Sequence, residues 1–355
     1  MCPATDHIGT DIRIVATARY IPASRVQPDA PAACEPVRPS DAKEALMQSV
    51  YTDTLRWRGT DTPVTPTFNG HARAALRASA ICTVATETGL ALSDMALLAA
   101  RRLAQALPLG PGAAANAPAI DQIIVCQSSF EHDLTLSCAC RVHHELQSGR
   151  IPFAIGQLQG ASFLMALQVA EAMMVSHPQM RTVLVVAAER WRAPFQRTIG
   201  SLTVLGDGAA AVLVRRDAPG GTDAGWTVRS ITTCTPVVPR SVARGREYVD
   251  SPTLARIIDE TLQRAHMSPA AIDWVLPARI NPALTHRITV RCGLPSERVW
   301  RPDATDTGYL CAADTPAHLD SLLRSIKPSP GQRILMWSAG FQGQAACALL
   351  EYRGT

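Results

Sequence analysis

The stretch from Phe153 to Ala170, FAIGQLQGASFLMALQVA, does most to limit what this chain can become. A short apolar run breaks at Gly156, after which Phe163, Leu164, Leu167 and Ala170 repeat at helical spacing. The pattern predicts a buried strand over Phe153–Ile155 that turns into a buried helix near Gln159-Gly160. Such a turn has the geometry of a nucleophile elbow. A residue placed there meets the unpaired N–H groups and positive end of the helix, which lower a thiol pKa and stabilise developing negative charge.

Strand and helix signals alternate along the rest of the chain. Asp11–Ala18 reads as a first strand, and the Pro- and Ala-rich stretch from Ala23 to about Phe68 as a segment wrapping the surface. Ala75–Leu107 is expected to be largely helical, with Leu92, Met95, Leu98 and Leu103 on its apolar face and Ser93-Asp94 as starting caps for part of it. Pro108–Ala119 reads as a flexible insertion. Buried strands are expected at Asp121–Val125, at Arg181–Ala188 with Glu189 following, and after the Gly-Asp-Gly turn of LGDGAAAVLVRR, Leu205–Arg216. There the glycines permit close backbone approach and Asp207 can accept hydrogen bonds from the turn. Asp217–Gly225 breaks the chain. Strand, helix and strand signals then recur at Trp226–Thr233, Pro252–Ala265 and Asp273–Leu276, which argues for an α/β architecture.

The elbow resembles that of the β-ketoacyl-ACP synthase III group of the thiolase superfamily, in which a Cys, one residue, a Gly, an aromatic residue and a following Ala-Leu open the same helix. The strand ending in Glu189, the spacer and Leu205-Gly-Asp-Gly-Ala match that group closely in order and distance. The resemblance implies a duplicated thiolase fold in five αβαβα layers, with halves at 1–216 and 217–355. It also places the group's catalytic Cys, His and Asn at Gly160, Ala278 and Tyr309. Ala278 falls in Leu276-Pro-Ala-Arg-Ile-Asn281, where the family reads Pro-His-Gln-Ala-Asn. Tyr309 falls in GYLCAADTP, where the family reads Gly-Asn-Thr-Ser-Ala-Ala-Ser-Ile-Pro. All three catalytic positions are therefore read as vacant, with the Tyr309 ring projecting into the pocket. Asn281 and Cys311 remain as pocket scaffold, and Ser338-Ala339-Gly340 as the turn whose backbone N–H serves the oxyanion hole. Trp57 and Arg58 are the nearest candidates for the family's clasp on the adenine of coenzyme A.

Three functions follow from the resemblance. The first is a ketosynthase III-like protein of acyl or polyketide-type specialised metabolism that partners an active synthase, as a heterodimer or beside its own homodimer. The second is an acyltransferase using a CoA or carrier-protein thioester through a displaced nucleophile, Ser162 or more weakly Cys311, with His286 as the base to be placed. Gln159 suggests a decarboxylase variant, but it lies one residue before the aligned position. The third is a non-enzymatic binder of acyl carrier protein. Adjacent residues do not converge on one point, so Glu131-His132-Asp133 and His143-His144 are read as solvated or interface residues.

Composition narrows the remaining classes. The net charge of +4 is scattered, without the basic run or aromatic interleaving of a nucleic-acid site. No apolar run reaches the roughly 20 residues of a membrane helix, and the N-terminus lacks a basic start and apolar core, so a cytoplasmic chain is expected. The ten cysteines are dispersed, and Cys138-Ala-Cys140 has no second pair at zinc-ligand spacing. No metal, nicotinamide or flavin signature is present, and no permanently bound cofactor is expected.

Overall fold

Strands that are apolar at nearly every position need cover on both faces, and this chain has many of them. The computed structural model describes residues 12–27, 83–106, 120–131, 136–192, 197–199, 202–216, 224–236, 249–301 and 306–354. Thirteen strands and six α-helices are seen among them. The strands of the first half are β1 (Ile12–Tyr20), β2 (Arg25–Val26), β3 (Val84–Ala85), β4 (Gln122–Gln127), β5 (Phe153–Gly156), β6 (Thr182–Glu189), β7 (Thr198–Ile199), β8 (Thr203–Val204) and β9 (Gly208–Arg216). Those of the second are β10 (Gly225–Cys234), β11 (Trp274–Pro277), β12 (Arg333–Ala339) and β13 (Ala345–Arg353). The helices are α1 (Leu92–Ala106), α2 (Cys138–Leu146), α3 (Ala161–Ser176), α4 (Ser251–Arg264), α5 (Pro282–Arg291) and α6 (Asp314–Ser325).

Nine strands join in the order β11-β12-β13-β10-β1-β9-β6-β4-β5. The halves repeat one another. In the first, β4 runs parallel to β6 and β6 antiparallel to β9; in the second, β11 runs parallel to β12 and β12 antiparallel to β13. The two meet where β1 pairs antiparallel with β10, through Arg13↔Thr227 and Ile14↔Trp226.

Alternation along the strands sorts side chains into three cores. Val183, Val185 and Ala187 of β6 face a central core with Ile334 and Met336 of β12, and this core also holds the apolar faces of α3 and α6. Leu184, Val186 and Ala188 face outward onto α1 and α2. Leu335 and Trp337 face the opposite way onto α4 and α5. Helix, sheet, helix, sheet, helix is the five-layered, duplicated α/β arrangement expected from the sequence.

Of the helix expected over Ala75–Leu107, residues 75–82 lie outside the described residues, and among the described ones it runs from Leu92 to Ala106. Val84-Ala85 instead pairs with Arg25-Val26 as a short ribbon. Turn chemistry then intervenes, as the Glu87 carboxylate accepts the N–H groups of Gly89 at 2.8 Å and Leu90 at 3.1 Å. Asp94 closes the helix start by accepting the Ala91 N–H at 2.9 Å. Glu131, read from sequence as a solvated or interface residue, is buried within the chain, and it accepts the Ser93 N–H at 2.8 Å in the same first turn. A carboxylate at a helix N-terminus satisfies an otherwise orphaned donor. His143 is half-buried with Nδ1 2.6 Å from Ser148 Oγ, while His144 is exposed. Cys138 is buried and Cys140 exposed. Trp57, Arg58, His132, Asp133, the insertion 108–119 and most of the segment 23–68 lie outside the described residues.

Gly206-Asp207-Gly208 is where the segments cross most tightly. A Cβ on Gly206 would overlap the carbonyl of Thr307, so only glycine fits. Asp207 does not serve its own turn, as the sequence suggested. Its carboxylate accepts the backbone N–H groups of Glu87 and Trp191, each at 2.8 Å, and pairs with both Nη atoms of Arg197.

Candidate functional site

The elbow forms because two glutamines accept left-handed backbone. Gln157 at φ 61° and Gln159 at φ 47° bend the chain out of β5, and Gly160 stands as the N-cap of α3. Both side chains hold the bend: Gln157 Nε2 donates to the Ser128 carbonyl at 3.0 Å, and Gln159 Oε1 accepts the Phe341 N–H at 3.2 Å. Non-glycine residues in this region cost about 1–3 kcal/mol each and persist only where such contacts fix them.

The structure brings Gly160 and Tyr309 into contact. A Cβ on Gly160 would overlap the Tyr309 hydroxyl and Ser338 Oγ, and would lie 3.1 Å from the Ala339 carbonyl. Tyr309 is completely buried, its hydroxyl 3.4 Å from that same carbonyl and its ring 5.9 Å from the Phe341 ring. Burial, followed by the neighbouring Cys311 and Asp314, holds the phenol well above its usual pKa, so it is a donor and not a base. The place a side chain at 160 would occupy is therefore filled by hydroxyl groups.

The Ser338-Ala339-Gly340 turn corrects a second expectation. The Gly340 N–H donates to the Gln344 carbonyl at 2.8 Å, Phe341 N–H to Gln159, and Gln342 N–H to Gln344 Oε1 at 3.0 Å. These donors are engaged within the protein, so the turn does not present an open oxyanion hole. The backbone carbonyl of Gln344 takes the Gly340 donor, and the side-chain amides of Gln159 and Gln344 take the two that follow. Ala278 is buried and continues the β11–β12 ladder, donating its N–H to Trp337 O at 2.8 Å. Asn281 is a helix cap: its Oδ1 accepts the Leu284 N–H at 2.7 Å and its Nδ2 donates to Leu202 O at 3.0 Å.

Ser162 meets no base, and Cys311 lies against the buried carboxylate of Glu189. Ser162 is fully buried in the first turn of α3, and its Oγ has no hydrogen-bond partner among the described residues. His286 sits exposed on α5, so the two are not brought together. Cys311, also fully buried, has φ 51°, and burial and then the Glu189 carboxylate push its thiol well above the ordinary value. Such a thiol stays protonated. Ser162→Ala is expected to leave the unfolding midpoint unchanged or raised, since an unpaired buried hydroxyl is removed at a saving of about 1–3 kcal/mol. A midpoint lowered by several degrees in a thermal melt would show that the hydroxyl does bond.

Glu189 organises the back of this site and was legible in the sequence only as a strand-ending acid. Fully buried, it accepts the Ser128 N–H at 2.9 Å, the Ser129 N–H at 2.7 Å, the Ser129 hydroxyl at 2.6 Å and the Ala312 N–H at 3.1 Å. Burial raises its pKa, and these bonds oppose that rise. It thus ties the end of β4 in one half to the turn before α6 in the other.

Two parts of the chain match a known family, and solved structures share its fold. Residues 157–230 match the 3-oxoacyl-(acyl-carrier-protein) synthase III family, and residues 262–352 match its C-terminal domain. The matched ranges include Gly160, Ala278 and Tyr309. Among solved structures, the chain is similar to the 3-oxoacyl-(acyl-carrier-protein) synthase III of Aquifex aeolicus VF5, at 19% identity and TM-score 0.66, covering 96% of this chain and 100% of that one. ChlB3, described as an acyltransferase, is similar at 19% identity and TM-score 0.71, covering 97% and 98%. An OleA variant of Xanthomonas campestris is similar at 15% and TM-score 0.68, covering 98% and 100%.

Proposed function

Because this chain is a 3-oxoacyl-(acyl-carrier-protein) synthase III-like protein of the thiolase superfamily, we propose that it keeps the family's scaffold without its condensing chemistry and serves as a pocket-shaping partner of an active synthase in acyl or polyketide-type metabolism. The observation that carries this reading is the filled elbow. Tyr309 and Ser338 occupy the space of a side chain at Gly160, and Gln159 takes the neighbouring Phe341 N–H. A site that had merely lost one residue would keep a cavity and free donors. Here the neighbours have closed over it, which favours a role that needs the shape of the fold and not a nucleophile.

The edge of the sheet supports association. β5 ends the nine-stranded order, and no described strand pairs with its outer side. Unpaired strand edges are templates for pairing with a second chain. Ile151, immediately before β5, is 87% exposed, and Phe130 and Leu136 on the neighbouring connection are also exposed. Apolar side chains beside an open strand edge are what a partner subunit covers.

Co-expression with an intact synthase of the same pathway is expected to give an equimolar heterodimer; exclusive homodimers beside a fully active partner reject the proposal. Intact-mass analysis after exposure to acyl-CoA and acyl-carrier thioesters is expected to show no acyl increment on this chain. An adduct mapping to Ser162 or Cys311 would instead make it an acyltransferase with a displaced nucleophile.

A further inference from the structure

Helix α2 turns two soft donors to solvent, four residues apart. From its sequence CACRVHHEL it buries Cys138, Ala139 and Val142 in the outer core beside β4 and β6. Each residue turns an α-helix by about 100°, so this inner face puts Cys140 and His144 together on the opposite side, about 40° apart. Both are exposed.

In the sequence these two residues read with other neighbours, Cys140 with Cys138 and His144 with His143. The fold separates both couples. The Cys138 thiol is buried while Cys140 is exposed, and His143 is half-buried with Nδ1 2.6 Å from Ser148 Oγ while His144 is exposed. Positions four apart on a helix have Cβ atoms about 5–6 Å apart. One ion can bridge that span, with a metal–sulfur bond of about 2.3 Å and a metal–nitrogen bond of about 2.0–2.1 Å for zinc. Two histidines at this same spacing on one helix face hold zinc in the His-Glu-x-x-His motif.

The turn that carries the pair is anchored on both sides. Before it, Ser137 Oγ accepts the Cys140 N–H at 3.3 Å as the helix N-cap. After it, Gln147 takes left-handed backbone at φ 54° and donates its N–H to the His143 carbonyl at 2.7 Å. Between the two donors, Arg141 ties the helix to α1, donating to Ser93 Oγ at 2.9 Å and pairing with Asp94. Binding to such a turn orders two side chains and no backbone, which keeps its entropic cost small.

We propose that Cys140 and His144 bind a borderline-soft divalent ion of the zinc type on the outer face of α2, with water in its remaining positions. A thiolate and an imidazole suit zinc, whereas magnesium and calcium require oxygen ligands. As the metal–sulfur bond forms, the thiol proton passes to solvent. Among the described residues no three His, Cys, Asp or Glu side chains come together as a metal-holding group, so the chain supplies two ligands and water the others. The inference rests on α2 alone and is independent of whether the elbow is catalytically silent.

Alkylation of the metal-free full chain by iodoacetamide, followed by peptide mapping, tests it at the level of the single residue. The thiolate is both the nucleophile and the metal ligand, so a bound ion competes with the reagent, and saturating zinc is expected to slow modification of Cys140 by at least about tenfold. Magnesium at the same concentration should leave the rate unchanged. His144→Ala, a change at an exposed position, is expected to raise the zinc concentration for half-protection by at least about tenfold, as for loss of one of two ligands, with circular dichroism unchanged. His143→Ala should not move it. Equal Cys140 rates with and without zinc up to millimolar concentration, or full protection retained in His144→Ala, overturns the proposal.

Discussion

Asp207→Ala is expected to cost about 3–5 kcal/mol of folding stability, the range for removing one partner of a buried ion pair. Asp207 is fully buried, and its oxygens lie 2.7 and 2.9 Å from the two Nη atoms of Arg197, itself only 8% exposed. Truncation leaves that guanidinium without its counter-charge in the interior and also orphans the backbone N–H groups of Glu87 and Trp191. Three chain segments are pinned to the turn before β9 by this one carboxylate. Asp207→Asn separates the causes: it keeps an acceptor oxygen but not the charge. Urea unfolding should place both variants far below wild type if the uncompensated Arg197 dominates, with Asn recovering only part of the loss. A decrease under about 1 kcal/mol for Ala would mean that the buried pair is neither formed nor dry.

Gly160→Cys is expected to destabilise the chain by about 1–3 kcal/mol, as overpacking of a filled core does. The added Cβ would overlap the Tyr309 hydroxyl and Ser338 Oγ. Tyr309→Asn alone opens a cavity against Phe341 and is expected to cost about 2–5 kcal/mol, by analogy with other large-to-small core changes. Combined, each change relieves the other, so the double variant should be more stable than the two single losses predict, by about 1 kcal/mol or more. Denaturant midpoints of the four proteins in the cycle provide the measurement. Strict additivity would mean that the two positions do not touch. Restoring a thiol would still leave Ala278 without a proton to exchange and the Phe341 N–H bonded to Gln159, so recovery of condensing activity is not expected from this pair of changes.

The layered architecture was legible because it rests on patterns that one segment carries alone. β4, β6 and β9 are apolar at consecutive positions, and only strands covered on both faces can be so. The elbow announced itself through Gly156 and the spacing from Phe163 to Ala170. Its filling was half legible: Tyr309 could be placed by register, but Ser338 and the amides of Gln159 and Gln344 meet only in three dimensions. Within the expected helix, Val84–Ala91 is not helical, because Val84-Ala85 pairs with Arg25-Val26 and the bonds from Glu87 to Gly89 and Leu90 favour a turn. Glu131 was misread because a charged residue next to His132 and Asp133 looks solvated unless one knows that a helix start lies above it. Arg19, Arg25, Arg102, Arg279 and Arg324 line one cavity and are too far apart in the sequence to be read together.

The central core has a consequence for how the chain is made. Helix α3 is apolar on nearly all sides and packs against β4, β5 and β6 of its own half, but also against β10, β12 and β13. During synthesis the first half leaves the ribosome with α3 and the inner faces of β6 and β9 complete, while the strands that cover them are still to be translated. That apolar surface waits, exposed, for β10 to reach β1 and for the last strands to close over it. Non-local pairing of this kind is slow, and apolar surface left open in the meantime favours aggregation.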